Sequence, residues 1–237
     1  MKKVLLFAFS FLTISSSLYG QERKGFIGLS TGPSIAIGDL SSKDLSNPSA
    51  GFADNGLQFD ITFGYQFEES KFGVIGLLRG QANTIDNGAL SSEFYKQFQP
   101  GVSLSVTGDA WALGGFLFGG FGSFPITEKA NFIPKAMIGF LNSNSPEIDL
   151  TVYYPSYVYV NTHRASASAF SYLIGAGFNY ELGDKWYLMA DIDFLGSNPE
   201  FRDVLTTTSN GNVIYDTYKQ SIATINFSLG IALRIFP

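Results

Sequence analysis

Seven charged residues fall at positions that a period of two turns away from the apolar side chains around them: Asp60, Arg79, Lys135, Glu181, Asp191, Asp193 and Arg234. Successive side chains of a strand point to opposite faces, so each of these charges shares a face with small polar neighbours. Three cations against four anions nearly balance, and charges withdrawn from water persist when they are paired and hydrogen-bonded. The chemistry this set points to is a structural ion network filling an interior, with a gated narrow path for small ions as the functional alternative. Asp191-x-Asp193 offers two hard carboxylates to a cation, but no third clustered ligand can be read beside them.

A second group lies between residues 143 and 166. His163, the single histidine of the chain, stands beside Arg164 and near Ser166 and Ser168, residue types that a nucleophile and its base would use. The segment is serine-rich throughout, and a solvated loop histidine is the simpler expectation. Tyr153, Tyr154, Tyr157 and Tyr159 surround Pro155. Tyrosine supplies amphipathic contact area and is enriched at binding surfaces, so these four form a candidate contact patch; a hairpin that lengthens a sheet would use the same residues. The glycine-rich run from Gly114 to Gly122 lacks a P-loop lysine and sits within a strand pattern, which excludes phosphate binding. No catalytic, cofactor or metal site is expected.

Strands must position these groups. From Leu57 to Phe67 the residues Leu57, Phe59, Ile61, Phe63, Tyr65 and Phe67 alternate with Gln58, Asp60, Thr62, Gly64 and Gln66, the pattern of a strand with one apolar and one polar face. Seven more such segments run over 24–38, 72–83, 109–124, 131–142, 167–182, 186–197 and 220–236. Each can cross a bilayer as a tilted strand, which takes about 9–11 residues. Short connections (68–71, 125–130, 183–185) alternate with long ones (39–56, 84–108, 143–166, 198–219), as in transmembrane barrels with periplasmic turns and extracellular loops. Both chain ends then lie on the periplasmic side. Residues 102–106 also alternate, so a count of ten strands stays open beside eight.

Register can be read at two hairpins. The turn from Glu68 to Lys71 pairs Phe67 with Phe72, and the same register sets Asp60 opposite Arg79 on the other face, where an ion pair belongs. In the last hairpin Asn210-Gly211 is a strong type I′ signal that pairs Ser209 with Asn212. Extended without a slip, it sets Phe194 opposite Phe227, Ile192 opposite Leu229 and Trp186 opposite Ile235.

Alternation alone does not say which face meets lipid. The polar faces of the first, sixth and eighth strands hold Gly28, Ser30, Gly32, Ser34, Ser171, Gly175, Asn179, Thr224, Asn226 and Ser228. A water-facing surface would carry Lys and Glu instead, whereas small uncharged residues suit the crowded interior of an eight-stranded barrel. Composition agrees: charged residues are 15 % of the chain and aromatics 16 %, with 23 Phe, against about 25 % charged in soluble domains. Tyr65, Phe67, Phe72, Phe124, Phe132, Tyr180, Trp186 and Phe236 would form a periplasmic aromatic girdle.

The first residues, Lys2-Lys3, an apolar run from Val4 to Ile14 and small residues to Gly20, read as a cleaved signal peptide, leaving 21–237 as one barrel domain that begins at Gln21. Thirteen basic residues against 20 acidic ones then give a net charge of −7, which argues against a nucleic-acid partner. There are no cysteines, so disulfides and thiolate metal sites are excluded.

The opening Gly25-Phe26-Ile27-Gly28-Leu29-Ser30 with Gly32-Pro33, the segment Phe124 to Lys129, and Ala165 to Phe170 resemble segments of the small eight-stranded outer-membrane barrels of OmpA-like and OmpW-like type. Asn226 to Phe236 resembles that family's C-terminal assembly signal, which implies recognition by the barrel-assembly machinery. The resemblance implies an all-β, up-and-down transmembrane barrel; because the sequence stops at the eighth strand, no periplasmic peptidoglycan-binding domain is expected. It specifies a fold more than an activity. The expected partners are outer-membrane lipid and an extracellular or envelope protein met through the loops; a narrow channel or a small or apolar solute transporter is the alternative.

Overall fold

The computed structural model describes residues 24–98, 101–153 and 157–235; the signal-peptide expectation for 1–20, Tyr154 of the tyrosine patch and Phe236 of the girdle lie outside them. The strands are β1 (Lys24–Ile37), β2 (Ala53–Gln66), β3 (Phe72–Ile85), β4 (Ser103–Gly108), β5 (Ala110–Gly122), β6 (Phe124–Pro125), β7 (Ala130–Asn144), β8 (Ile148–Tyr153), β9 (Tyr157–Thr162), β10 (Ser166–Glu181), β11 (Trp186–Ser197), β12 (Glu200–Thr208), β13 (Val213–Lys219) and β14 (Ile222–Arg234). One helix, α1 (Asn87–Tyr95), and a 3-10 turn at Gly38–Ser41 complete them.

Eight long strands close a barrel in the order β10-β11-β14-β1-β2-β3-β5-β7, with β7 returning to β10 and every pairing antiparallel. Closure leaves no sheet edge, the condition for crossing lipid with strands. Residues 103–108 do form a strand, but it lies outside this wall, in a separate five-stranded sheet of order β13-β12-β9-β8-β4 built from the long loops. The barrel therefore has eight strands, not ten. Among the described residues no helix is long and apolar enough to cross a membrane.

The outer wall carries the apolar alternation. Phe59, Phe63, Phe72, Phe116, Phe118, Phe140, Ile174, Phe178, Leu229 and Ile231 are all exposed, as a lipid-facing band requires. Near the periplasmic turns Tyr65 meets Phe67, Phe72 meets Phe124 and Phe132 meets Phe178 at centroid distances of 6.0, 6.1 and 5.6 Å. Pro134 sits in β7 without an N–H to give. The ladder from β7 to β5 and β6 is interrupted at the same place, where the Ser123 amide donates instead to the Lys71 carbonyl at 2.6 Å.

The register of the first hairpin is as read: Asp60 opposes Arg79, and the Phe67 amide donates to the Phe72 carbonyl. The last hairpin differs. Ser209 does not pair with Asn212; the Thr208 amide donates to the Asn212 carbonyl, and Gly211 adopts φ +86°, a three-residue loop ending in a left-handed residue. A bulge at Arg202 and Asp203, with Asp203 at φ +53°, slips the ladder once more. Two slips of one residue preserve parity, so the apolar faces still coincide. The partners shift by two: Phe194 faces Ile225, Ile192 faces Phe227 and Trp186 faces Leu233.

Candidate functional site: the lumen and the outer sheet

The seven inward charges fall into three clusters stacked along the lumen. At the periplasmic mouth Arg234 donates to the Glu181 carboxylate at 3.0 Å and to the Tyr187 hydroxyl at 2.5 Å, its guanidinium 4.9 Å from the Tyr187 ring centroid. Phe26 lies edge-on to Phe121 and Tyr187 just inside, at 5.9 and 6.4 Å. Deeper in, Lys135 donates to Asp191 at 2.8 Å. At the centre Arg79 grips two carboxylates in bidentate fashion: Nε and one terminal nitrogen reach Asp60 at 2.8 Å each, and the terminal nitrogens reach Asp193 at 2.7 and 2.9 Å. The planar guanidinium fork suits this double grip. The central side chains are between 0 % and 4 % exposed.

Strand order explains the meeting. Asp60 and Arg79 are rung partners on β2 and β3, while Asp193 on β11 reaches across the lumen. Glycines on the adjacent strand β10, rung partners of the two aspartates, make room: a Cβ on Gly177 would collide with an Asp191 carboxylate oxygen, and one on Gly175 would lie 2.6 Å from the Asp193 Cβ.

Toward the extracellular end follows a neutral layer of Ser34, Gln58, Gln81, Asn83, Thr224 and Asn226, all buried. Asn83 donates to the Ser34 and Asp54 carbonyls at 3.1 Å, and Asn226 donates to Asp193 at 2.9 Å. Above it the lumen is closed by apolar side chains. Trp111 packs on Phe201 at 5.8 Å and Phe201 on Tyr218 at 5.3 Å, with Leu40, Phe52 and Leu90 buried around them. The Trp111 indole N–H donates to the Gly51 carbonyl at 2.8 Å.

Sequence reasoning from three strands made the interior small and uncharged. Across the other strands it is largely aliphatic: Leu77, Leu117, Leu141 and Leu195 are buried there, and Leu173 joins them from the sixth strand itself. A strand with large apolar residues on both faces looks the same whether its inner side meets protein or lipid. The inward face of the amide layer is legible, since Gln58 and Gln81 share parity with Asp60 and Arg79, but parity alone does not say that their amides meet in one layer. Phe201 and Tyr218 sit in a hairpin with no lipid-facing pattern to mark them.

Cavities flank this stack. One of about 340 Å³ opens at the periplasmic mouth between Gln66, Asn131, Asn179 and Arg234, and one of about 290 Å³ lies at the extracellular cap against Trp111, Tyr218 and Gln220. A wider apolar hollow of about 560 Å³ is on the outer wall, between Pro33, Phe178, Ile192, Phe227 and Leu229, where membrane lipid would lie.

The outer sheet has two unlike edges. At β4 the helix α1 sets Asn87, Ser91 and Tyr95 four residues apart along its length, on one face. They bond the strand's backbone at Gly108, Val106 and Leu104, at distances between 2.6 and 3.3 Å. At β13, Val213, Ile214 and Tyr215 are exposed by 54 %, 56 % and 66 %. Of the tyrosine patch, Tyr153 and Tyr157 are exposed and stack edge-on at 5.4 Å across the tip of the β8–β9 hairpin. Tyr159 turns away to donate its hydroxyl to Asp149. That bond pushes the Tyr159 hydroxyl up, and together with the Asn161 amide it holds the Asp149 carboxyl below the usual carboxylate range.

His163 does not meet the nearby serines. Its Nε2 lies 3.3 Å from the Thr207 hydroxyl, whereas Ser166 bonds Asn144 and Ser168 accepts from Asn142 at 3.2 Å. Arg164 pairs with Asp109. Among the described residues there is no cluster of three or more His, Cys, Asp or Glu able to hold a metal ion.

No family model and no curated protein sequence matches the chain. Solved structures do. A major outer membrane protein from Thermus thermophilus aligns over 90 % of this chain and 99 % of its own, with TM-score 0.50 at 10 % identity. The attachment invasion locus protein Ail of Yersinia pestis, in complex with the heparin analogue sucrose octasulfate, aligns over 91 % and 100 %, with TM-score 0.48 at 13 %. Neisserial surface protein A aligns over 89 % and 97 %, with TM-score 0.47 at 9 %. At such identities the likeness reaches the fold alone, that of the small eight-stranded outer-membrane barrels.

Proposed function

We propose that this outer-membrane β-barrel is a non-enzymatic platform that presents its extracellular sheet to a partner protein. One observation carries the reading: the lumen is closed from the Arg79 centre to the Trp111–Phe201–Tyr218 lid, while apolar side chains are left exposed on the outer sheet. Water-exposed aromatic and branched residues such as Tyr153, Tyr157, Ile214 and Tyr215 are the usual material of contact surfaces. The remaining partners follow from the chain's surfaces. Lipid covers the phenylalanine-rich band, and the barrel-assembly machinery reads β14. Export with cleavage after Gly20 belongs to the same reading, and mass spectrometry of the mature protein would find Gln21 first.

Planar-bilayer recording of the pure, folded protein tests the platform reading. Silence is expected, and a steady current abolished by Arg79→Ala would overturn it. That second outcome would favour a narrow channel, the reading to which the 340 Å³ mouth cavity and the polar central layers lend support. The interaction side has its own test. Cells displaying the barrel should lose attachment to a protein-coated surface when Tyr153 and Tyr157 are both changed to Ser, with the heat-modifiable gel shift of the folded barrel unchanged.

A further inference from the structure

The central lumen holds one negative charge more than its own residues neutralise. Arg79 is shared between Asp60 and Asp193, and Lys135 is taken by Asp191, so two cations face three carboxylates. All five side chains are nearly or wholly closed to solvent, the most exposed at 7 %. The Glu181–Arg234 pair at the mouth is neutral in sum and does not relieve the excess. An uncompensated charge at that depth costs several kcal/mol, so the site calls for one positive charge that the protein does not supply.

A second, independent feature lies one rung toward the extracellular side. Both amide atoms of Gln58, the Gln81 Oε1 and the Asn226 Oδ1 are buried and find no partner among the protein's own groups. Gln58 and Gln81 are rung partners directly above Asp60 and Arg79. Asn226 is held against Asp193 by its own amide nitrogen, which leaves its oxygen as the free acceptor. These residues are 2 %, 5 % and 0 % exposed. Gln58 has an oxygen to offer whichever way its amide is turned. Buried amide oxygens normally carry partners, and three left free beside one uncompensated carboxylate form a set of hard oxygen donors.

We propose that the lumen binds one monovalent cation of sodium type between the Gln58–Gln81–Asn226 amide layer and the Asp60–Arg79–Asp193 centre. Water could satisfy the amides but brings no charge. A proton could supply the charge but leaves the amides unmet, and it would fall on a carboxylate whose two oxygens already accept from Arg79 at 2.7–2.9 Å. A hard alkali cation answers the charge and the three amide oxygens, since carbonyl, carboxylate and water oxygens are the natural ligands of a hard cation, and a water bound beside it would accept from the remaining Gln58 N–H. The ion is a structural resident of a closed lumen, and the proposal does not depend on what the extracellular sheet binds.

The test is urea unfolding of the full mature chain in a non-ionic detergent at pH 7.5, followed by gel mobility and tryptophan fluorescence. Sodium chloride is replaced stepwise by choline chloride at constant ionic strength. Sodium should shift the folding equilibrium toward the barrel by about tenfold for each tenfold rise in concentration above its dissociation constant, the signature of one bound ion. Asp193→Asn removes the excess charge, and Gln58→Leu removes an amide oxygen without touching charge; each should abolish the sodium dependence while remaining foldable. Sodium-23 relaxation should broaden with the wild-type barrel and not with Gln58→Leu. Equal stability in sodium and choline overturns the proposal. So does a sodium response that persists in both variants, or a sodium-independent loss of stability on raising pH from 5 to 8, which would place a proton on the carboxylates instead.

Discussion

Two ion pairs in this molecule have similar contact distances and opposite surroundings. Arg79 meets Asp193 at 2.7 Å in the lumen, its partner 114 residues away, with side chains 0 % and 1 % exposed. Arg202 meets Glu200 at 2.5 Å on the outer sheet, two residues away, with side chains 73 % and 34 % exposed. The first ties β3 to β11 across the barrel and cannot exchange its partner for water. The second is a local contact in high dielectric. A similar distance therefore describes a closure of the fold in one place and an incidental surface contact in the other.

The largest expected effect breaks the comparison most directly. Arg79→Ala leaves two carboxylates buried and unpaired, and loss of one partner of a buried pair costs about 3–5 kcal/mol. The urea midpoint of the refolded barrel should fall accordingly, while Arg202→Ala leaves it unchanged within error. Equal midpoints for the two variants would mean that the lumen centre is wet and the closed stack is wrong.

The lid comes next. Phe201 is fully buried between Trp111 and Tyr218, and deleting such a ring costs about 3 kcal/mol or more. The loss should stay local, because the outer sheet and the barrel wall are separate hydrogen-bonded sheets and separate units open separately. In Phe201→Ala, hydrogen exchange should therefore speed up at β12 and β13 and hold its rate at β2 and β3. Uniform loss of protection would show that lid and wall unfold as one unit.

A smaller effect probes packing around the charges. Gly177→Ala drives a methyl group against the Asp191 carboxylate and to within 2.8 Å of the Ala190 carbonyl, and overpacking of this kind costs about 1–3 kcal/mol. The variant should lower the unfolding free energy in urea by that amount, and Gly183→Ala, where nothing lies within 4 Å, should not.

The same contrast explains what could be read from residues alone. In the wall, apart from the closure of β14 on β1, each strand pairs with its neighbour along the chain, so parity at one turn, Phe67 with Phe72, propagates to Asp60 and Arg79. The outer sheet joins different loops: β4 pairs with β8, and β9 pairs with β12. No hairpin rule reaches across loops, so residues 102–106 could be seen to alternate but not assigned a partner. The last hairpin shows the limit within a single loop. Asn210-Gly211 marks a turn, yet whether it holds two residues or three depends on Gly211 taking φ +86°, and the bulge at Arg202 and Asp203 carries no glycine or proline to mark it. Of the candidate site, charges and their faces were legible; the unmet amides of Gln58, Gln81 and Asn226 were not, because need for a partner is a property of burial.

The smallest effect tests the edge that is sealed. Asp86 caps α1 by accepting from the Ala89 amide at 2.9 Å, and that bond, with Lys43 at 3.4 Å, holds its carboxyl below the usual range despite some burial. A carboxyl lowered in the folded state stabilises above its unfolded pKa and loses that contribution as the pH falls through the folded value. Asp86→Ala should therefore cost about 1 kcal/mol of local stability at neutral pH, read as faster exchange of the α1 amides and of the β4 amide of Leu104, which Tyr95 bonds. Once the pH has fallen through the lowered folded-state value the carboxyl is protonated in both states, and wild type and variant should converge. The exposed strand β13, which no helix seals, should exchange alike in both proteins at every pH. A variant effect at β13 as large as at β4 would show that α1 acts on the whole sheet and not on the edge it covers.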